Sequence, residues 1–203
     1  MRMSADGPPN IAALLLAAGL SERMGAVNKL TLKIGGVEMV RRAAQTLIDC
    51  GLDLFVVVGH ERDAVAEALS GLSCTLVDNP DFKEGQPSSM RAGLNAIGAD
   101  YAGVMVALAD QPLLDAQDVT SLLAAYSGSD KTRIMVPFHQ DQRGNPIILP
   151  AAIVQEIGER PVNFGCRKFI ERNPERIVVY QAPNDHFTRD IDTPEALSAL
   201  EHA

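Results

Sequence analysis

Leu14-Leu-Leu-Ala-Ala-Gly-Leu-Ser-Glu-Arg-Met-Gly-Ala-Val-Asn-Lys29 is the stretch that decides the fold. An apolar run that begins at Ile11 stops at Gly19, and a small, polar loop follows with Ser21, Arg23, Gly25 and Lys29. This reads as a buried strand delivering a glycine loop and two cations to its carboxyl end. Such a loop suits a polyphosphate, because backbone N–H groups can face the anion while Arg and Lys neutralise it. Two familiar phosphate loops are excluded. A Walker A loop places its Lys directly after the second glycine, whereas Lys29 comes four positions after Gly25. The dinucleotide fingerprint G-x-G-x-x-G is absent as well.

Outward from this stretch, strand and helix patterns alternate. Strands are predicted at 11–17, 54–58, 74–77 and 104–108 from short, bounded apolar runs. Helices are predicted at 37–50, 63–69, 88–97 and 115–126, the first ended by Gly51 and the third capped by Ser88 or Ser89. The second half is less regular. Strands are expected at 134–137 and 146–149 around a Gly-Asn turn, and at 177–181, with helices at 151–157 and 166–171. Thr193-Pro194-Glu195 opens a final helix, Thr193 as its cap and Pro194 in its first turn. The alternation predicts one α/β domain over 1–203, with residues 1–10 flexible and a mostly parallel sheet flanked by helices.

Bulk properties set limits on function. The 203 residues suffice for one domain with a substantial core, and the net charge of -8 argues against a broad nucleic-acid surface. A small anionic ligand remains compatible, because a local cationic loop can sit in an acidic protein. Cys50, Cys74 and Cys166 form no C-x-x-C pair and read as core thiols in a reducing compartment. The four histidines show no metal-like spacing. The apolar stretch after residue 10 is shorter than a membrane span, which needs about 20 residues, and no cleavage pattern follows a basic start. The expectation is a cytoplasmic protein with no membrane association.

In a parallel sheet, ligands bind beyond the carboxyl ends of the strands. Those ends hold Ala17, Ala18 and Gly19, then Asp78 and Asn79 leading to Gly85-Gln-Pro-Ser-Ser89, then Asp110-Gln-Pro112, and later Asp190-Ile-Asp192. Asp110 ends an apolar strand; it can hold a divalent cation beside a phosphate or cap a turn. Asp192 precedes a helix start, which its charge favours, or supplies a second carboxylate to the same cation. Asp190 lies on the same side if that segment is extended, so one of the two can face the crevice while the other is structural. Arg23 and Lys29 can also be read as solvated surface charges. Gln86, Ser88 and Ser89 can bond a base or ribose, or simply start a helix.

Leu16-Ala-Ala-Gly-x-Ser-x-Arg-Met-Gly-x-x-x-Lys29 resembles the signature of the molybdenum-cofactor nucleotidyltransferase family. Gly85-Gln-x-Ser-Ser89, Ala109-Asp-Gln-Pro112, Arg143-Gly-Asn-Pro146 and Asp190-x-Asp-Thr-Pro-Glu195 follow in that family's order, so the resemblance covers nearly the whole chain. It implies a single Rossmann-like nucleotidyltransferase domain. It also implies transfer of a nucleoside monophosphate from a triphosphate to a phosphorylated acceptor, releasing pyrophosphate. By resemblance, Ala17, Ala18 and Gly19 approach the nucleotide through backbone, and Arg23 and Lys29 are catalytic cations on the triphosphate. Gln86 and Ser89 sit near base and ribose, Asn145 near the acceptor, and Asp110 and Asp192 hold Mg2+.

Ala17-Ala18-Gly19 resembles the cytidylyltransferase branch; the guanylyltransferase branch typically has Gly before the final Gly. The resemblance therefore implies CTP as donor and molybdopterin or molybdenum cofactor as acceptor, with a molybdoenzyme as client. Two departures stand out. Pro161-Val-Asn-Phe-Gly-Cys-Arg167 carries Asn163 where the family usually has Asp, which bears on the acceptor, and the step from Gly25 to Lys29 is one residue longer than the commonest form. Other readings are a cytidylyltransferase for a sugar or polyol phosphate, a cofactor-binding chaperone for a molybdenum hydroxylase, and a relative that has drifted to oxidoreductase activity.

Overall fold

A computed structural model describes residues 9–20, 28–161, 164–193, 195 and 196. The expectations for Ser21, Arg23, Gly25, Asn163, Pro194 and the flexible amino terminus fall outside these residues, apart from its last two positions.

The apolar run becomes strand β1 (Ile11–Ala17), buried almost throughout. It forms the centre of the sheet because it is apolar on both faces, as a parallel strand covered by helices must be. It pairs in parallel with β4 (Asp53–Val58) and β6 (Gly103–Leu108). Before β4 come a short hairpin, β2 (Lys33–Ile34) with β3 (Val37–Glu38), and helix α1 (Met39–Asp49). Helix α2 (Arg62–Ala68), β5 (Cys74–Asp78) and α3 (Gln86–Ala96) lead into β6. The later elements are α4 (Ala116–Ser127), β7 (Ile134–His139), β8 (Gln142–Arg143), β9 (Ile147–Pro150), α5 (Ala151–Gly158), α6 (Cys166–Arg172) and β10 (Ile177–Gln181). The eight-stranded sheet runs β10-β7-β9-β6-β1-β4-β5, with β8 added on β7.

Every strand predicted from the sequence is present, and the sheet is mostly parallel, as expected. The exception matters for the site. β9 runs antiparallel between β6 and β7. Where β1 and β6 present their carboxyl ends, β9 therefore presents its beginning, and this brings Arg143 to Asn145 to the same edge. Gly103 allows the close passage of β9: a Cβ there would stand 2.5 Å from the Leu149 carbonyl oxygen.

Both faces are covered. Met39, Val40, Ala44 and Leu47 of α1, Val65 of α2, and Val119, Leu122 and Tyr126 of α4 pack on one face. Met90 and Leu94 of α3, Ile153 and Ile157 of α5, and Phe169 and Ile170 of α6 pack on the other. Gly93 lets α3 lie close against β1 and β4, since a Cβ there would meet Leu14 Cδ1 at 2.2 Å and Val57 Cγ2 at 2.9 Å.

Two helix starts differ from the sequence reading. α1 begins at Met39 because Gly35 and Gly36, with φ of +60° and +84°, turn the chain so that Val37 and Glu38 pair with Ile34 and Lys33. α3 begins at Gln86, with Gly85 in place of a serine at the cap. Gly85 has φ +94° and ψ -176°, a conformation essentially confined to glycine, and Pro87 presets the first turn. The Thr193 cap is borne out: the Ala196 N–H donates to Thr193 Oγ1 at 3.2 Å.

Candidate active site

Two clefts adjoin at the carboxyl edge of the sheet. The smaller, about 290 Å3, is lined by Ala18, Gly19, Lys29, Gln86 and Ser89. The larger, about 570 Å3, is lined by Arg143, Asn145, Arg167, Lys168, Asp190 and Asp192, over the apolar side chains of Met90, Ile147 and Ile170. Leu16, Gln86, Leu108 and Asp110 border both. The structure thus brings together Ala18, Gly19, Lys29, Gln86, Ser89, Asp110, Asn145 and Asp192. The Ala17 side chain packs into the core on the opposite face, so only its backbone is left for the contact expected of it. Arg23 lies outside the described residues.

Lys29 sits on a 3-10 turn (Lys29–Thr31) that Asn28 caps, its Oδ1 accepting the Leu30 N–H at 3.0 Å. Leu30 anchors that turn in the core. The Lys29 ammonium is buried and donates to Asp110 Oδ2 and to Asp192 Oδ1, both at 2.6 Å. Burial alone would lower its pKa, but the charges and hydrogen bonds of Asp110 and Asp192 outweigh that and raise it above its ordinary 10.5.

Asp110 follows β6, and its carbonyl accepts the Ile191 N–H at 2.9 Å. That bond fixes the late segment against the strand end. Ile191 is buried and points inward, so Asp190 and Asp192 on either side of it turn toward the cleft. Asp110 Oδ1 is buried with no hydrogen-bond partner among the described residues. Asp190 lies near the mouth. Partial loss of water and the charges of Asp110 and Asp192 raise its carboxyl above the ordinary 3.8, against a lowering bond from Gln111.

Gln111 had no role assigned by the sequence, yet it ties the site together. It is buried, and its Nε2 donates to Asp190 Oδ1 at 2.8 Å and to the Phe187 carbonyl at 3.0 Å. The same carbonyl accepts the Asn145 N–H at 2.8 Å. Gly144 is required beside it, because a Cβ would stand 2.3 Å from that oxygen. The Phe187 turn is held from behind by Asp118, which accepts from Asn184 Nδ2 at 2.9 Å and lies 2.7 Å from His186 Nδ1. Asp115, Asp118 and His186 are close enough to hold a metal ion. Asp118 is, however, already bonded through both oxygens, one of which also accepts the Asp115 N–H, so the group reads as a structural tie.

On the opposite side, Asn79 Nδ2 donates to Ser88 Oγ at 3.1 Å and to Ser89 Oγ at 3.0 Å. Ser88 is turned into the loop, donating to the Asp81 and Gly85 carbonyls, while Ser89 faces the smaller cleft. In the larger cleft, burial and the neighbouring Arg167 lower the Arg143 guanidinium somewhat, but a guanidinium so shifted is still a cation at neutral pH. Cys166 is buried among apolar groups and its thiol is pushed up to about 12, as expected of a core thiol.

A small cleft beside Gly19 and Lys29, joined through Asp110 to a larger cleft in which Arg143, Arg167 and Lys168 face Asp190 and Asp192, suits two anionic ligands meeting at a point where a cation can balance the carboxylates. Residues 13–177 match the family model described as the MobA-like NTP transferase domain. The chain belongs to this family. It is an enzyme of the nucleotidyltransferase class, as its sequence motifs predicted.

Among relatives of this NTP transferase domain, a nicotine blue oxidoreductase of Paenarthrobacter nicotinovorans is 28% identical over 204 residues, spanning 95% of this chain and 97% of that one. A protein of Natronomonas pharaonis named as a molybdenum cofactor guanylyltransferase is 27% identical over 192 residues, 91% of this chain and 93% of that one. The fold is similar to that of a nucleotidyl transferase from Methanothermobacter thermautotroptrophicus, with a TM-score of 0.80, 20% identity and 97% of each chain covered. Among the described residues, no helix is long and apolar enough to cross a membrane.

Proposed function

We propose that this NTP transferase domain moves CMP from CTP to a phosphorylated acceptor of the molybdopterin type and releases pyrophosphate. The observation that carries the reading is Lys29 standing between Asp110 and Asp192 where the two clefts join. The smaller cleft takes the triphosphate. Gly19 and Lys29 meet the phosphates there, Arg23 is given the same role from its place in the motif, and Gln86 and Ser89 bond the base and ribose. The Ala18 methyl narrows the base site and favours a pyrimidine. The larger cleft takes the acceptor, with Asn145 at its edge, cations for its phosphate and an apolar floor for its ring system.

The reaction is a substitution at phosphorus. An acceptor phosphate oxygen bonds to the α-phosphorus, the α–β bridging bond breaks, and pyrophosphate leaves with its electron pair. The nucleophile is already ionised, so no general base is needed. The chain's work is positioning and charge stabilisation. The site suits magnesium: Asp110 Oδ1 is a buried oxygen acceptor without a protein partner among the described residues, and the neighbouring donors are hard carboxylate oxygens. Asp110 and Asp192 would hold the ion, which when bound supplies positive charge to the triphosphate. The reading includes a cytoplasmic location and a molybdoenzyme client.

Pyrophosphate release, assayed with each of the four triphosphates, magnesium and molybdopterin, tests the assignment. CTP is expected to support it best. No release with any triphosphate refutes nucleotidyl transfer to molybdopterin, and faster release from GTP refutes the cytosine preference. A second reading, oxidoreductase activity, is favoured by the nearly full-length likeness to the nicotine blue enzyme. It predicts substrate reduction or oxidation with no pyrophosphate formed.

A further inference from the structure

The Lys29 ammonium sits on the carboxylate pair that a divalent ion would use. It lies 2.6 Å from a carboxylate oxygen of Asp110 and 2.6 Å from one of Asp192. Those are the two carboxylates the proposed function gives to magnesium. A second cation on the same two carboxylates, even at Asp110 Oδ1, which has no partner among the described residues, would meet the ammonium at short range, and the repulsion is severe where water is scarce. The turn that carries Lys29 is pinned by the Asn28 cap and buried Leu30, so any movement falls to the flexible four-carbon stem. Lys29 also lines the smaller cleft. A triphosphate arriving there offers the ammonium another anionic partner.

We infer that Lys29 is the resident cation of this carboxylate pair, and that a divalent ion enters only as a triphosphate draws the ammonium away. The inference rests on the proposed function for the identity of the two ligands. Its consequence is a binding order. The nucleotide-free chain holds a divalent ion weakly, and metal and triphosphate bind with positive coupling. Lys29 thereby keeps the carboxylates from collecting a metal without its nucleotide, and delivers its own charge to the phosphates as the ion takes over theirs.

The test is a titration of the full chain with Mn2+, read by electron paramagnetic resonance of the free ion, with no nucleotide present. Lys29→Met keeps the length of the stem and removes the charge. It is expected to bind Mn2+ at least about tenfold more tightly than the unaltered chain, the scale on which groups bonded to metal ligands act. Asp110→Asn added to Lys29→Met abolishes the gain. Lys33→Met, which removes an exposed lysine charge from the neighbouring hairpin, leaves the affinity unchanged. CTP tightens Mn2+ binding to the unaltered chain more than to Lys29→Met.

Equal nucleotide-free affinities for the unaltered chain and Lys29→Met overturn the inference, and so does an equal gain from Lys33→Met or an absence of Mn2+ binding in both chains. If Lys29→Met does not fold, the unaltered chain alone decides. Nucleotide-free affinity already as tight as with CTP overturns the inference, and tightening by about tenfold or more on adding CTP, beyond the Mn2+ that CTP takes up in a protein-free control, supports it. A negative pyrophosphate assay would remove the proposed reaction, while the nucleotide-free titration would still decide whether Lys29 holds the carboxylate pair against a metal.

Discussion

Replacing Gln111 by Met keeps the volume of a buried side chain and deletes its polar end. Gln111 donates to the Phe187 carbonyl at 3.0 Å and to Asp190 Oδ1 at 2.8 Å. A neutral intramolecular hydrogen bond is worth about 1 kcal/mol net, and one to a charged group about 1.5–3 kcal/mol. The Asp190 bond belongs at the bottom of that range, because its partner is solvated at the cleft mouth. The substitution also removes Gln111 Oε1, a buried acceptor with no partner among the described residues, which returns about 1 kcal/mol. The Phe187 carbonyl keeps its bond from the Asn145 N–H and is not orphaned. The balance is a loss of about 1–2 kcal/mol, read as a lower midpoint in urea at unchanged slope. Because Asn145 and Asp190 both border the larger cleft, KM for the acceptor should rise more than KM for the triphosphate. An unchanged or higher midpoint would refute the idea that the Gln111 amide holds the late segment in place.

Further outcomes follow from other parts of the site. Lys29→Ala should lower turnover by at least about a hundredfold while the far-UV circular dichroism stays native; wild-type-like turnover would sink the assignment of Lys29. Gly85→Ala should cost about 1–3 kcal/mol, measured by thermal unfolding, because φ of +94° with an extended ψ excludes a side chain. Asp190→Asn should stabilise the chain by a few tenths of a kcal/mol at neutral pH. A carboxyl raised in the folded state loses stability as pH climbs from its ordinary 3.8 through the raised value. The advantage of Asn should therefore grow across that window and then level off; an advantage already complete below 3.8 would contradict it. Cys166, with its thiol pushed up to about 12, should resist a thiol reagent until the chain unfolds, while the half-buried Cys50 and Cys74 react sooner.

The sheet was legible because its strands are short apolar runs closed by turn residues. Ile11 to Ala17 needed no partner information to be recognised as a central strand. The antiparallel course of β9 was not legible, since Ile147 to Pro150 is as apolar as any parallel strand and direction leaves no mark on composition. The hairpin before α1 had a signal in Gly35-Gly36, but Val37 and Glu38 also fit the helical period that follows. At the site, the residue types and their order at the strand ends indicated which groups gather there. Their pairing was hidden. Lys29 was expected against phosphate and is found against Asp110 and Asp192, a choice set by three-dimensional distance. Gln111 escaped a role because one of its partners is a backbone carbonyl, at Phe187, and a carbonyl carries no sequence signature.

Asp110 stands on the border of two clefts that share Leu16, Gln86 and Leu108 but draw most of their other lining from different stretches of chain. The smaller draws on residues between Leu16 and Asp110, and most of the larger on residues between Arg143 and Asp192. With the donor in the smaller cleft and the acceptor in the larger, as proposed, the two preferences lie mostly in separate segments. Transplanting the 143–192 portion between relatives should exchange what is modified while leaving untouched the nucleotide that is spent.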